Sequence, residues 1–283
     1  MSQYLFPSFQ RHLQAQGKRP GTVDAYCTIV ERFLGSTGMA ESAVNADHAY
    51  GWLVERGTAC GLSAAWFNVQ FHAVSAWLTM RGLSTDLRGL RPKRIAHQPP
   101  RWYTGEEVQR LIGAVDQRHV RLLFQVMLAT GLRVSEVIAL RVDDLDHERP
   151  LLRVRCGKGG DGRLVPMPPT LLTRLRAYWQ SFRPRGVLFQ RIPGVDDRPL
   201  LAATVNAALR RAAARAELPA DDVSSHRLRH TFAVQSLRRD LDLPTLQAYL
   251  GHRRIESTVR YLTPDLRRPG VEVDLLAALE IAP

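Results

Sequence analysis

Lysine is almost missing from this strongly basic sequence. The 283 residues include 39 lysines and arginines, yet only Lys18, Lys93 and Lys158 are lysines, and the other 36 are arginines. Such a bias reflects genomic base composition more than function. It also makes a lysine unexpected at any given basic position, so each of the three needs a reason.

Cysteine is also scarce, with Cys27, Cys60 and Cys156 scattered along the chain. An odd number without a close pair excludes a disulfide framework and a cysteine-based metal site. No uninterrupted apolar run reaches the roughly 20 residues that cross a bilayer. The start, MSQYLFPSFQRH, has no basic leader followed by an apolar stretch. We therefore expect a cytoplasmic protein with no membrane partner.

Positive charge is in excess throughout the chain. The net charge is +12 and the pI about 10.4, with 10 basic against 6 acidic residues in positions 1–100 and 29 against 21 in positions 101–283. Such an excess favours a polyanionic partner, either nucleic acid or an acidic membrane surface. Its spread over both halves favours a protein that wraps its ligand.

The N-terminal part, residues 1–88, has apolar residues at helical spacing. Thr22 and Ser63 are candidate N-caps, and Gly35 and Gly82 are candidate helix stops. We predict a helical domain built as a bundle of four or five helices.

Residues 89–101 are predicted to be an extended linker. They combine prolines with a basic run and have no apolar period. Between two basic domains, such a linker can lie along a phosphate backbone; the alternative is a solvated surface loop.

The C-terminal part, residues 102–283, is predicted to be mainly helical with a small antiparallel β-sheet. Thr104 and Glu107 form a capping box, a second helix over Val120–Ala129 ends at Gly131, and Ser135 is expected to cap a short third helix. Two β-like runs around a Gly-rich stretch predict a β-hairpin. Further helices are predicted over Leu171–Phe182, Thr204–Ala216, Arg227–Leu241, Leu246–Leu250 and Val273–Ile281.

Several short motifs carry groups that bind anions or react. The stretch SSHRLRHTFA places two histidines and two arginines at a predicted helix N-terminus, which favours a phosphate. Taken alone, this stretch could equally be a solvated basic helix start. Likewise, Tyr261 alone could be a core aromatic, His252 a turn residue, and Arg133 a surface arginine beside a helix end.

Their combination in one order resembles the tyrosine recombinases, the family of phage integrases and Xer-type resolvases. The matching contexts are ATGLRVSE, CGKGG followed by GRLVPMP, SSHRLRHTFA and YLGHRRIESTVRYL. The resemblance covers most of residues 101–265. It implies a helical core-binding domain followed by an α+β catalytic domain, although the first domain matches by length and pattern only.

The resemblance implies a role for each residue in the attack on a DNA phosphodiester. Tyr261 would be the nucleophile that forms a 3′-phosphotyrosine, and Arg133 and Arg229 would clamp the non-bridging oxygens. His252 would donate to the phosphate. His226 would take or position the tyrosine proton.

Lys158 would protonate the leaving 5′-oxygen. It is the only lysine in residues 101–283, against 28 arginines, and a lysine can release a proton where an arginine essentially cannot. Glu136 and His230 would support the site. Relatives often carry another basic residue in this hairpin where the chain has Asp161, so the hairpin tip is expected to contact DNA less strongly. No metal or cofactor is expected, because neither a carboxylate cluster for Mg²⁺ nor a P-loop is present.

The expected partner is double-stranded DNA with an inverted-repeat core site. The resemblance implies a C-shaped clamp around the duplex and, on two sites, either a homo-tetramer or an assembly that includes a partner recombinase. The apolar segment from Val271 to Ile281 would either dock on a neighbouring subunit or pack on its own domain. The alternatives are a type IB topoisomerase, a telomere resolvase and a non-catalytic DNA-binding accessory protein.

Overall fold

The computed structural model describes residues 7–58, 62–93, 101–146, 148–155, 162–219, 223–252 and 254–262. The chain divides into two compact units, Met1–His97 and Gln98–Pro283, each with its own hydrophobic core. Within the described ranges, no helix is long and apolar enough to cross a membrane.

The described part of the first unit is a bundle of four helices, as predicted. They are α1 (Pro7–Ala15), α2 (Pro20–Thr37), α3 (Ala46–Thr58) and α4 (Ala64–Met80). The core is centred on Phe33. The centroid of its ring lies 5.4 Å from that of Trp52 and 5.8 Å from that of Trp77. Burying such large aromatic rings supplies much of the driving force for packing a bundle this small.

Two of the predicted boundaries of α2 are wrong. The helix begins at Pro20 rather than after Thr22, because proline is well suited to the first helical position. Its end lies beyond Gly35, and the chain leaves the helix at Gly38 with a φ of 63°. Gly35 instead continues the helix, since a glycine stops a helix only where the backbone turns left-handed.

The predicted boundaries of α4 are confirmed. The Ser63 hydroxyl accepts a hydrogen bond from the backbone N–H of Trp66, as an N-cap does. Gly82 follows the helix with a φ of 67°, and the N–H of Leu83 then donates to the carbonyl of Leu78. This pattern satisfies carbonyl groups that the helix end would leave free.

The second unit is helical around a small sheet. Its elements are α5 (Gly105–Gly113), α6 (Arg118–Thr130), α7 (Val134–Ile138), β1 (Leu145–Asp146), β2 (Leu151–Val154), β3 (Arg163–Pro166), α8 (Pro169–Phe182), α9 (Ala202–Arg215), α10 (Ser225–Arg238), α11 (Leu243–Leu250) and α12 (Glu256–Val259). Helix α6 is central, because every residue from 122 to 130 is buried and it packs against α10 and α8.

The predicted β-hairpin is confirmed. Strands β2 and β3 pair antiparallel with Leu152 opposite Val165, and β1 adds a third antiparallel strand beside β2. Residues 156–161, which connect β2 to β3, lie outside the described residues. Strand β1 was not predicted, because two residues are too few to show an alternating pattern.

The start of α7 differs from the prediction. Ser135 does not cap this helix; instead the carboxylate of Glu136 accepts a hydrogen bond from the backbone N–H of Arg133 at 2.8 Å. The predicted capping box of α5 is confirmed, with Thr104 and Glu107 bonded to each other's backbone N–H. The predicted helix over Val273–Ile281 lies outside the described residues.

Candidate active site

Arg229 is enclosed at the centre of the candidate site. It lies in the first turns of α10, where the Ser224 side chain caps the helix, and its own side chain is only 3% exposed. The guanidinium donates to the carbonyl of Gly131 at 2.7 Å and to that of Leu250 at 2.6 Å. These carbonyls lie at the C-terminal ends of α6 and α11, where the helix dipole favours a cation. Burial, followed by the charge of Arg133, lowers the pKa of Arg229 to about 10.

Gly131 explains the Gly-Leu-Arg motif. It ends α6 with a φ of 65°, and a side chain at this position would collide with the ring of Phe232. The close approach of α6 and α10 therefore requires glycine here. The same turn directs the Gly131 carbonyl at Arg229 and brings Arg133 to the start of α7.

Arg133 is the more accessible arginine. Its side chain is 37% exposed and donates to Glu136 Oε1 at 3.0 Å. Burial alone would raise the pKa of Glu136, but hydrogen bonds from Arg163 and Arg133 lower it below its ordinary value. An ionised, fixed Glu136 therefore holds Arg133 while leaving part of its guanidinium open.

His252 follows the left-handed Gly251 that ends α11. Its Nε2 lies 3.0 Å from Nη2 of Arg229, and its Nδ1 lies 2.9 Å from Oγ1 of Thr258. An arginine can only donate, so Nε2 accepts and the proton of the neutral ring is on Nδ1, where it is donated to Thr258. Burial, followed by the charges of Arg229 and Arg133, lowers the pKa of His252 to about 4.

Tyr261 lies just after α12 and is only 2% exposed. Its hydroxyl is 2.7 Å from Nδ1 of His230, and its ring is nearly parallel to that of His252, with centroids 6.4 Å apart. Burial raises the pKa of Tyr261, which the charge of Arg229 offsets only in part. The phenol is therefore neutral at physiological pH and held in place by a ring nitrogen.

The structure places His230, rather than His226, at the tyrosine hydroxyl. His226 lies one turn earlier on α10 and is exposed; burial of part of its ring, followed by the charges of Arg229 and Arg133, lowers its pKa. Burial, followed by the neighbouring His226, lowers the pKa of His230 to about 4, so its ring is neutral at physiological pH.

Lys158, the expected acid, lies outside the described residues. The two strands that precede and follow it, β2 and β3, are described and pair antiparallel. The remaining predicted residues all belong to the second unit and lie in or directly beside its helices. Glu136 is in α7 and Arg133 precedes it, His226, Arg229 and His230 are in α10, His252 follows α11, and Tyr261 follows α12.

Two further residues of the site were missed by the sequence analysis. Arg163 makes two hydrogen bonds to Glu136, and Thr258 contacts His252. The period of two along a strand could have indicated Arg163, because it shares a face with the buried Val165 while Leu164 is 54% exposed. No sequence pattern indicated Thr258, because its contact with His252 depends on how α12 folds back on α11.

The arrangement suits chemistry on a phosphate. Arg133 and Arg229 supply planar, permanently charged groups that bind anionic oxygens. Beside them, Tyr261 offers a hydroxyl that can act as a nucleophile, with a neutral imidazole at hydrogen-bond distance.

Comparison with known proteins identifies the family. Residues 101–267 match the phage integrase family. The tyrosine recombinase XerA of Thermococcus kodakarensis is 32% identical over 264 residues, which cover 91% of this chain and 89% of that protein. A putative integrase/recombinase of Sinorhizobium fredii is 40% identical over 161 residues, covering 56% of this chain and 50% of that protein.

Solved structures share the fold. A lambda integrase dimer bound to a core site is similar with a TM-score of 0.72 and 16% identity, covering 95% of this chain and 98% of that one. A crystal structure of XerA recombinase gives a TM-score of 0.52 and 23% identity, covering 96% and 94%. The chain therefore belongs to the phage integrase family, and is an enzyme of the tyrosine-type site-specific recombinases.

Proposed function

We propose that this enzyme breaks and rejoins double-stranded DNA through a 3′-phosphotyrosine on Tyr261. The proposal rests on one observation above all: a buried tyrosine hydroxyl in the same site as the enclosed Arg229, with a neutral histidine 2.7 Å away. Attack of the Tyr261 oxygen on phosphorus forms one phosphoester bond as the bond to the 5′-oxygen breaks. Since one ester replaces another, the step is close to isoenergetic and reversible.

The other residues take the roles that this reaction requires. Arg133 and Arg229 would neutralise the non-bridging oxygens as negative charge develops on them. His252 would donate to the same phosphate once its Nε2 has left Arg229 and taken up a proton, and Lys158 would give a proton to the 5′-oxygen. The tyrosine proton would pass to His226, or to His230, which is already at hydrogen-bond distance.

Covalent trapping tests the proposal. The protein is incubated with fragmented DNA from its source and denatured, and the protein-linked fragments are recovered and sequenced. We expect wild type to recover fragments that share an inverted-repeat site, and Tyr261→Phe to recover none. Tyr26→Phe, in the first unit, is the matched control and should behave as wild type.

Negative results have a clear meaning in this experiment. Failure of wild type on nicked DNA carrying candidate sites would contradict cleavage and favour a DNA-binding accessory protein. Relaxation of supercoiled DNA without recombinant junctions would favour a type IB topoisomerase. Membership of the tyrosine recombinases does not favour either alternative.

We further propose that the active form is a homo-tetramer on two DNA sites, acting in the cytoplasm. A cavity of about 410 Å³ in the second unit is lined by apolar residues such as Phe232 and Val165 and by Asp240 and Asp242. In its lining, Ser236 Oγ and Asp240 Oδ1 have no hydrogen-bond partner in the described part of the chain. An apolar segment fits the apolar part of this lining, and the C-terminal residues 271–281 of a neighbouring subunit are the proposed occupant.

Deleting residues 270–283 tests this assembly. Loss of the tetramer on DNA, measured by light scattering, would support docking between subunits. An unchanged assembly would show instead that the segment packs on its own domain.

A further inference from the structure

Arg163 is an inward-facing arginine on β3 that makes three hydrogen bonds. Its side chain is 13% exposed. Nη1 and Nη2 donate to the two oxygens of Glu136 at 3.0 and 2.9 Å, and Nε donates to the carbonyl of Tyr249 at 2.6 Å. Two parallel bonds to a carboxylate need the planar fork of arginine, which lysine does not have.

These bonds join three parts of the site. Arg163 belongs to β3, Glu136 to α7, and Tyr249 to the last turn of α11, two residues before Gly251. A Cβ atom at Gly251 would lie 2.9 Å from Nη1 of Arg163. The glycine of the Leu-Gly-His motif therefore leaves room for this guanidinium as well as ending the helix.

Glu136 is shared by three arginines, and Arg163 is its main partner. Arg133 reaches one carboxylate oxygen at 3.0 Å, and the nearest ion-pair distance from Arg229 is 3.9 Å. Were Arg163 absent, Oε1 of Glu136 would keep only the guanidinium of Arg133 and Oε2 only the Arg133 backbone N–H. Each oxygen could then accept a further hydrogen bond, which would allow a two-bond pair with Arg133 or Arg229. Either pair would withdraw positive charge from the place where a phosphate has to bind.

We propose that Arg163 is a positioning residue: it occupies Glu136 with two bonds and thereby keeps Arg133 and Arg229 available to the scissile phosphate. This inference rests on the proposed function. It differs from a purely structural role, because it predicts a defect that depends on the negative charge of the phosphate.

The test compares a normal phosphodiester with an uncharged methylphosphonate at the scissile position. In both substrates Tyr261 attacks phosphorus and the 5′-oxygen leaves, but the methylphosphonate has no anionic oxygen that needs an arginine. Arg163→Lys keeps the charge and loses the two-bond geometry. We expect it to slow cleavage of the phosphodiester about 10²-fold, the usual effect of a displaced catalytic group, and to slow cleavage of the methylphosphonate much less.

Two reference variants show how such results are to be interpreted. Arg133→Ala removes part of the clamp itself and should share the charge-dependent pattern of Arg163→Lys. Leu171→Ala weakens the core at a buried site in α8 and should affect both substrates by the same factor. An equal loss on both substrates for Arg163→Lys would overturn the proposal.

A double variant distinguishes the proposed role of Arg163 from a simple folding defect. If Arg163 acts by occupying Glu136, then removing the carboxylate charge should partly restore a chain that lacks Arg163. We expect Arg163→Lys with Glu136→Gln to cleave the phosphodiester faster than Arg163→Lys alone. A slower double variant would contradict the inference. If wild type itself gives no Tyr261-dependent cleavage of either substrate, the proposed function fails, and the role of Arg163 fails with it.

Discussion

Thr258 determines which nitrogen of His252 carries the proton. The threonine is fully buried and its Oγ1 is 2.9 Å from Nδ1 of His252. Since Arg229 donates to Nε2 on the other side of the ring, the orientation of the imidazole is fixed from both sides. A residue with no catalytic group of its own thus controls a group proposed to contact the phosphate.

Thr258→Val preserves the shape of the side chain, but it should lower both the stability of the fold and the rate of cleavage. The variant leaves the Nδ1 proton of His252 without an acceptor, which costs about 1–3 kcal/mol when the donor is shielded from water. We expect a lower melting temperature and slower formation of the covalent complex. Thr258→Ser keeps the hydroxyl and should retain the cleavage rate; if serine and valine are equally slow, the hydrogen bond is not the cause.

The two histidines with lowered pKa predict acid sensitivity. His230 and His252 have pKa values of about 4 in the folded chain, against an ordinary value of ~6.5. The unfolded chain therefore binds more protons between these values, so that the free energy of unfolding falls as the pH drops from ~6.5 to ~4. Above pH ~6.5 both histidines are neutral in the folded and in the unfolded chain, so they no longer reduce the free energy of unfolding.

Melting temperatures measured across this pH range check the prediction. Wild type should lose stability on acidification more steeply than His230→Asn, which removes one of the two groups. His72→Asn changes an exposed histidine of the first unit and should follow wild type. Parallel curves for wild type and His230→Asn would contradict the assignment.

Sequence reasoning could name the candidate site residues but not their contacts. His226 and His230 are four positions apart and share a face of α10. Which of them meets Tyr261 depends on where α12 returns to α10, and no local pattern carries that information. The same holds for Thr258, whereas Arg163 could have been singled out by the alternation along β3.

At the scale of elements, the turn between α6 and α7 determines where several groups of the site lie relative to one another. Gly131 combines a left-handed backbone, contact with Phe232 and a carbonyl that binds Arg229. A displacement of this turn would move both arginines of the proposed clamp, because Arg133 follows it directly.

Gly131→Ala tests this arrangement. A left-handed conformation costs a non-glycine residue roughly 1–2 kcal/mol, and the collision with Phe232 adds an overpacking cost of about 1–3 kcal/mol. We expect a clear fall in melting temperature and in cleavage. Gly113→Ala, at the exposed end of α5 with no atom within 4 Å of the added Cβ, should be neutral or stabilising by about 0.5–1 kcal/mol. Equal melting temperatures for the two variants would contradict this account.

Most elements could be predicted because apolar periodicity and capping chemistry agree in them. The helix ends at Ser63, Thr104 and Gly131 were predicted correctly. Serine and threonine side chains are favoured as N-caps, and glycine is favoured where the backbone turns left-handed. Gly35 and Ser135 were not, because a residue type favoured at helix ends does not show which candidate along a continuous pattern is used.

At the scale of the whole molecule, the net charge of +12 predicts strongly salt-dependent binding to DNA. Each phosphate that is neutralised releases counterions, so a chain with about 6–10 such contacts loses roughly 10³–10⁵ in affinity between ~50 and ~200 mM salt. Fluorescence anisotropy with a labelled duplex measures the slope. Tyr261→Phe carries the same charge and should give the same slope, while a flat dependence would show that arginine–phosphate contacts do not dominate binding.

Tyr261 is enclosed by protein on nearly every side, with its hydroxyl bound to His230. A phenol in this position should resist nitration by tetranitromethane in the free chain and react once the segment that carries it is displaced. Rapid nitration of the free chain would contradict this.

An enclosed nucleophile cannot nick a duplex that it merely touches. If Tyr261 acts as proposed, charge-driven binding away from a target site would be harmless, and the search for that site would be separated from the breakage of DNA.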